Sequence, residues 1–257
     1  MAFALAQQFG PKEHGFVGLG TGEQAFILAV GIPTVAAQLA VANGSDFSLQ
    51  YGTLVDPDVR LPDTLGDPDL LEWSCAARLS VERCLDVFRR GMMTCSFISG
   101  AQVDKFGNLN SVQIGRDRPP AVRLTGPIAQ SDHSVYAQRT FIVLPHDRRV
   151  FVDRVDFISG VGYGEGADWR RKQGLPGGGP AKVITTKAVL GFEDDTKRMR
   201  LETVHPGVTI DDVVDSTGFE LIVPDDVPTT AGPSDDQLLM IRERIDVGGK
   251  LLSGGIR

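Results

Sequence analysis

The chain has 257 residues, 42% hydrophobic and 23% charged, an ordinary composition for a globular α/β protein with room for a substantial core. Its formal net charge of −7 gives no bulk basic footprint for nucleic acid or anionic lipid, so neither is an expected partner, although a local cluster could still meet an anionic ligand. One domain over residues 1–257 is the expectation.

Residues 1–8 lack a basic leading region and a long apolar core, and no stretch reaches the ~18 apolar residues that a membrane span needs. A cytoplasmic protein without a membrane anchor is therefore expected. Residues 23–42 carry small and apolar residues at mixed helical spacing, interrupted by Gly31-Ile32-Pro33, which predicts two helical pieces or one kinked helix. Residues 47–49 alternate like a strand. Residues 56–69 hold three prolines and five aspartates, which predicts a surface loop; their spacing does not reproduce a calcium loop. The three cysteines, Cys75, Cys84 and Cys95, lack metal-ligand spacing and are odd in number, so buried reduced thiols are expected and no metal site.

Further strands are predicted at 97–99, 121–124, 140–144, 154–158 and 182–185, where β-branched and aromatic residues sit between Gly, Pro and Asp punctuation. Strands alternating with helical patterns predict an α/β class with a single open, mostly parallel sheet flanked by helices. Residues 160–182 form a Gly-rich loop by composition. Within it Trp169-Arg170-Arg171-Lys172 gives a mobile positive segment that suits the phosphates of an anionic ligand, an acidic patch of another chain, or solvent. Residues 209–214 read as a capped helix start, and residues 237–244 as an amphipathic helix.

Several separated segments share one pattern. Gly18-Leu19-Gly20-Thr21-Gly22 precedes Gly31-Ile32-Pro33, and residues 49–52 read Leu-Gln-Tyr-Gly. Residues 100–110 read Gly-Ala-Gln-Val-Asp-Lys-Phe-Gly-Asn-Leu-Asn, and residues 126–133 read Gly-Pro-Ile-Ala-Gln-Ser-Asp-His. The strand-turn-strand block 139–158, Gly174-Leu175-Pro176-Gly177-Gly178-Gly179-Pro180 and His205-Pro206-Gly207-Val208 follow. Together these span nearly the whole chain. They resemble the β subunit of the class I coenzyme A transferase superfamily, and especially its glutaconate-transferase branch. The resemblance implies the NagB/RpiA/CoA-transferase-like α/β fold.

Two departures stand out. Transferases usually carry Ser-Glu-Asn-Gly where this chain has Leu49-Gln50-Tyr51-Gly52, and their glutamate attacks the acyl-CoA thioester. Gln50 has an amide there, which cannot serve as that anionic nucleophile. Transferases also usually carry Gly-x-Gly-Gly-x-x-Asp where Ile128 and Ala129 now replace two glycines. A β-branched residue does not readily take glycine conformations, so this loop is expected to change shape or to alter how closely a ligand approaches.

The branch includes a steroid-degrading α/β hydrolase that opens a carbon ring of a CoA ester, and the chain resembles its β subunit. That resemblance implies ring opening without a glutamyl-CoA intermediate, an acid/base glutamate on an α subunit, and an α2β2 assembly. It implies no cofactor, CoA being part of the substrate. Catalytic candidates are Gln50, Tyr51 and His133. Substrate- and CoA-binding candidates are Gly52, Gly100, Gln102, Gly107, Asn108, Asn110 and Gly126. Gly100, Gly107 and Gly126 are weighed as backbone donors to a thioester oxygen against plain turns, Asn108 and Asn110 as CoA contacts against an Asx-turn, and His133 and His146 against structural roles. A transferase using another carboxylate and a non-catalytic ligand-binding subunit remain the alternatives.

Overall fold

The computed structural model describes residues 1–18, 23–59 and 73–253, so most of the predicted 18–22 glycine turn and of the 56–69 loop lies outside the described residues. The chain divides into two compact units, residues 1–97 with 232–257, and residues 98–231.

In the first unit, α1 (Ala2–Ala6) leads to β1 (Glu13–Val17), then α2 (Glu23–Phe26), one turn of π-helix at Ile27–Gly31, and α3 (Ile32–Ala42). The predicted break at Gly31-Ile32-Pro33 is thus a local widening of one continuous helix. Pro33 sits in the first turn of α3, and the wider π-helical turn before it accommodates the hydrogen bond that proline cannot donate. Gly31 is required by contact, since a Cβ there would stand 1.8 Å from the Leu251 carbonyl oxygen. The helix ends where Gly44 turns to φ +88° and Ser45 N donates back to Ala40 O.

This run, Glu23–Ala42, corrects the expectation that no segment is long and apolar enough to cross a membrane. By length and composition it qualifies, with a mean hydropathy of 2.0 over 18 residues, but 67% of that window is buried inside the protein, as in a core helix.

The same unit carries β2 (Phe47–Tyr51), β3 (Leu54–Val55), β4 (Ala77–Arg78), α4 (Val81–Arg89) and β5 (Cys95–Ile98). β5, β1 and β2 run parallel, with Gly15 opposite both Leu49 and Cys95; β3 and β4 extend this set antiparallel. Gly15 is forced by packing, because an added Cβ would lie 2.5 Å from the Phe47 ring. The C-terminal run Asp235–Met240 starts with a capping box of Ser234 and Gln237 and passes into a π-helical turn, Ile241–Ile245, which agrees with the amphipathic helix expected at 237–244.

The second unit opens with the short pairs β6 (Gln102–Val103) with β7 (Leu109–Asn110) and β8 (Gln113–Ile114) with β9 (Val122–Arg123). It continues through α5 (Gln130–Tyr136), β10 (Arg139–Leu144), α6 (Trp169–Lys172), β11 (Pro180–Thr185), β12 (Ala188–Phe192), β13 (Met199–Val204) and α7 (Ile210–Asp215). β10 and β11 are parallel, while β11, β12 and β13 are antiparallel. The α/β class holds, with antiparallel edges on parallel cores. Ile142, Leu144, Val183, Leu190, Met199 and Leu201 are fully buried in one cluster, each contributing about 1.5–3 kcal/mol by burial.

Residues 154–158 are not the predicted strand. Phe151 and Val152 make only isolated bridges, to Val103 and Gly218, and the chain then turns so that Asp156 reaches Gln102 and Gly115. Polar demand at Asp156 overrides the apolar alternation of Val155 and Phe157.

Candidate active site

Gln50 stands near the carboxyl end of β2, opposite Phe16 on the parallel strand β1, in the part of an open α/β sheet where ligand crevices form. It is fully buried. Its Nε2 donates to the Gly52 carbonyl at 3.0 Å, and the Cys84 thiol on α4 donates to the same oxygen at 3.5 Å. Because a carbonyl only accepts, Nε2 must face Gly52, and Gln50 Oε1 is turned away, without a partner among the described residues. A buried acceptor left open this way costs about 1–3 kcal/mol, so this oxygen calls for a donor.

Local structure fixes this arrangement. Gly52 takes φ +54° with open space where a Cβ would be, closing the β2–β3 turn. Asp56 braces the strand by accepting from Leu49 N at 2.7 Å and Ser48 Oγ at 3.1 Å. α4 begins at Ser80, whose side chain caps Arg83 N, and this sets Cys84 over Gly52. Burial pushes the Cys84 thiol pKa up and Gln50 opposes that, so the thiol stays protonated and donating. Sequence reasoning read Cys84 only as a buried thiol and Asp56 only as part of a surface loop; nothing in their spacing signals contact with β2.

Tyr51 lies on the opposite face of β2 from Gln50 by strand alternation. It packs edge-on against Trp73 at 5.3 Å, and burial raises its phenol pKa. The strand therefore separates these two catalytic candidates.

In the second unit, residues 100–110 fold into the β6–β7 hairpin, with Gln102 opposite Asn110. Asn110 is buried and donates to Gln102 Oε1 and Gln113 O at 2.7 and 2.6 Å, while its Oδ1 accepts from Val112 N and Gln113 N. Gln102 Nε2 in turn donates to Asp156 Oδ2 at 3.0 Å. Asn108 Oδ1 accepts from Gly162 N and Gly164 N, and its Nδ2 donates to Asp104 and Gly164 O. Burial raises the Asp104 pKa to about 6, opposed by the bonds from Asn108 and Phe106 N. These side chains face inward and lock the hairpin to residues 156–164. Gly107 N donates to Asp104 O and Gly126 N to Ser111 O, so both amides are engaged within the chain. At Gly100 an added Cβ would lie 3.2 Å from Asn110 O, which makes it a packing glycine of the same hairpin.

The 126–133 loop takes a form the sequence argues against. Gly126 has φ +99°, and Ile128 adopts φ +47°, so the isoleucine occupies the left-handed region after all. β-branching makes this expensive, about 1–3 kcal/mol. The backbone is over-determined by its anchors: Gln130 N donates to Pro127 O, Gln130 Nε2 to Ser99 O at 2.6 Å, and Ser159 Oγ to Gln130 Oε1 at 2.7 Å. His133 follows on α5; burial lowers its pKa to about 3, so it is neutral at physiological pH. His146 is stacked on Phe151 at 4.3 Å between Thr185 and Thr217, a structural position.

Arg170 corrects the reading of residues 169–172 as a mobile positive segment. Its guanidinium is buried and donates to the carbonyls of Ser134, Val161, Gly162 and Gly177 at 2.9–3.2 Å. It clamps the Gly-rich segment, with no donor left for a phosphate. Arg171 and Lys172 are exposed and pair with Asp168 on their own turn. A groove of about 650 Å³ opens here between Tyr163, Arg171, Leu175, Asp194 and Lys197, lined by both signs of charge. Among the described residues no group of three or more His, Cys, Asp or Glu is placed to hold a metal ion.

Comparison with known proteins gives the family. Residues 82–216 match the family model described as coenzyme A transferase. The chain is 34% identical to the β subunit of the 3-oxoadipate CoA-transferase of Pseudomonas knackmussii, over 87% of each chain. It is 31% identical to the β subunit of the glutaconate CoA-transferase of Acidaminococcus fermentans, over 88% of this chain and 87% of that one. The crystal structure of that glutaconate CoA-transferase superposes with a TM-score of 0.83, at 28% identity over 98% of this chain and 95% of the other. The cholesterol ring-cleaving hydrolase IpdB subunit of Rhodococcus jostii is 31% identical over 56% of each chain.

Proposed function

This chain belongs to the coenzyme A transferase family as a β subunit, and from that premise we propose that it works with a companion α subunit to open a carbon ring of a steroid-derived CoA ester by hydrolysis. One observation carries the reading: Gln50, with its amide nitrogen on Gly52 and its oxygen buried without a partner, occupies the place where the resemblance puts the transferases' attacking glutamate. An amide forms no acyl anhydride and no glutamyl-CoA. It can accept a hydrogen bond from water or a substrate hydroxyl.

Ring opening suits that capacity. Water adds to a ring ketone carbon, the adjacent C–C bond breaks, and its electron pair passes to the neighbouring carbon as an enolate that is then protonated. A carboxylic acid and a C–H bond result, and the thioester survives. The step needs a base for water and donors for the developing enolate. We assign the base to a carboxylate of the companion subunit, and to Gln50 Oε1 the orientation of the water. The match to the ring-cleaving hydrolase subunit supports the ring-opening reading as a whole.

A second reading, a CoA transferase using a different carboxylate, is favoured by the longer matches to the two transferase subunits. Incubating the co-expressed complex with a cyclic diketone CoA ester, while following free thiol and product mass together, separates the two. Addition of one water without thiol release supports ring hydrolysis. CoA appearing on an added acid, with the ring intact, refutes it.

A further inference from the structure

Ile128 combines two costs that glycine would remove. It holds a left-handed backbone, φ +47°, and leaves its side chain 71% exposed, the largest exposure among the large hydrophobic residues described. The loop cannot relax, because Gly126 N is bonded to Ser111 O and Gln130 is bonded to both Ser99 and Ser159. The segment reaching Ser159 carries two more exposed apolar side chains, Phe157 at 45% and Ile158 at 52%. Beside Ile128, Gly126 leaves open space where a Cβ would stand, so a ligand can approach the backbone closely there. A strained, rigid, apolar projection next to an open glycine edge is the form of a ligand-facing position.

We infer that Ile128 is a specificity-determining residue that packs against the apolar ring portion of the acyl group. The inference rests on reading the Gly126 loop as part of the substrate-binding surface of the proposed enzyme. A glycine at position 128 would present no side chain to a ligand. Isoleucine presents apolar surface there and so favours an alicyclic acyl group over a dicarboxylic one.

Binding to the intact α/β complex tests this without reference to which reaction the complex catalyses, so its outcome stands apart from that of the hydrolase reading. Dissociation constants for cyclohexanecarboxyl-CoA and succinyl-CoA are measured by calorimetry for the wild type, Ile128→Gly and Ile128→Ala. Ile128→Gly is expected to weaken cyclohexanecarboxyl-CoA by about tenfold and to leave succinyl-CoA within about twofold. Ile128→Ala, which keeps the complex folded with a smaller change, is expected to weaken it less. Equal weakening of both esters, no weakening of either, or loss of the companion subunit from the purified complex would each overturn the inference; the last would mark Ile128 as a subunit contact.

Discussion

Gln50 Nε2 and the Gly52 carbonyl lie 3.0 Å apart, two residues along one chain, and this single contact decides which end of the buried amide is left unpaired. It also makes position 50 hostile to the acid that the transferase pattern carries there.

Restoring that acid is therefore expected to cost stability. Gln50→Glu removes the donor and sets a carboxylate against a carbonyl in a fully buried site, about 2–4 kcal/mol at neutral pH. Burial raises the folded-state pKa of such a glutamate above its unfolded value, so the fold holds the proton more tightly. The loss should thus be small below about pH 4 and grow as pH rises. Urea unfolding of variant and wild type at acidic and neutral pH reads it; an equal loss at both would show that charge is not the cause.

Arg170→Lys and Arg170→Met should both destabilise by about 3–5 kcal/mol, because one guanidinium ties Ser134, Val161, Gly162 and Gly177 together. A lysine, with a point charge in place of a planar fork, should recover little. Thermal unfolding with an intact melting temperature in Arg170→Lys would show that charge alone suffices.

The two buried histidines predict an acid limit. Burial holds His133 at about 3 and His146 at about 4, both below the ordinary histidine value near 6.5. The unfolded chain takes up their protons first, so their contribution is complete above about pH 6.5 and is lost as pH falls from there through about 4 for His146 and about 3 for His133. For His146 this amounts to about 3 kcal/mol at neutral pH. NMR titration should find both rings neutral at pH 5. A midpoint near 6.5 for either ring would contradict its placement.

Gly31→Ala should loosen the C-terminal segment. The added methyl would meet the Leu251 carbonyl, at an expected cost of about 1–3 kcal/mol. Limited proteolysis should cut the variant faster within residues 246–253, and unchanged protection would argue against the close approach.

Much of the fold was legible in the residues. β-branched runs located β10 and β11, and the Thr209-Ile210-Asp211-Asp212 sequence marked a helix start that the structure closes with a full capping box. β12 and β13 escaped notice because Gly191 and charged residues on β13 interrupt their apolar pattern, while 154–158 looked like a strand and is a turn held by Asp156. At the site, the amide in place of the acid was visible in one letter, but its orientation was not. That depends on Cys84 and Gly52, brought beside Gln50 by α4 and by a turn with positive φ. Asn108, Asn110 and Gln102 illustrate the opposite limit, since a short polar motif reads alike whether its side chains face a ligand or, as found, neighbouring groups of the protein itself.

With an amide at residue 50, no covalent acyl or CoA adduct should form there. Intact-mass spectrometry of the α/β complex, quenched during turnover of a CoA ester with and without an acceptor acid, reads this without relying on any variant. The β subunit is expected to remain unmodified at every time point while ring-opened CoA thioester accumulates. A β subunit carrying CoA through an acyl bond, formed and discharged at the rate of turnover, would contradict the hydrolytic role given to Gln50.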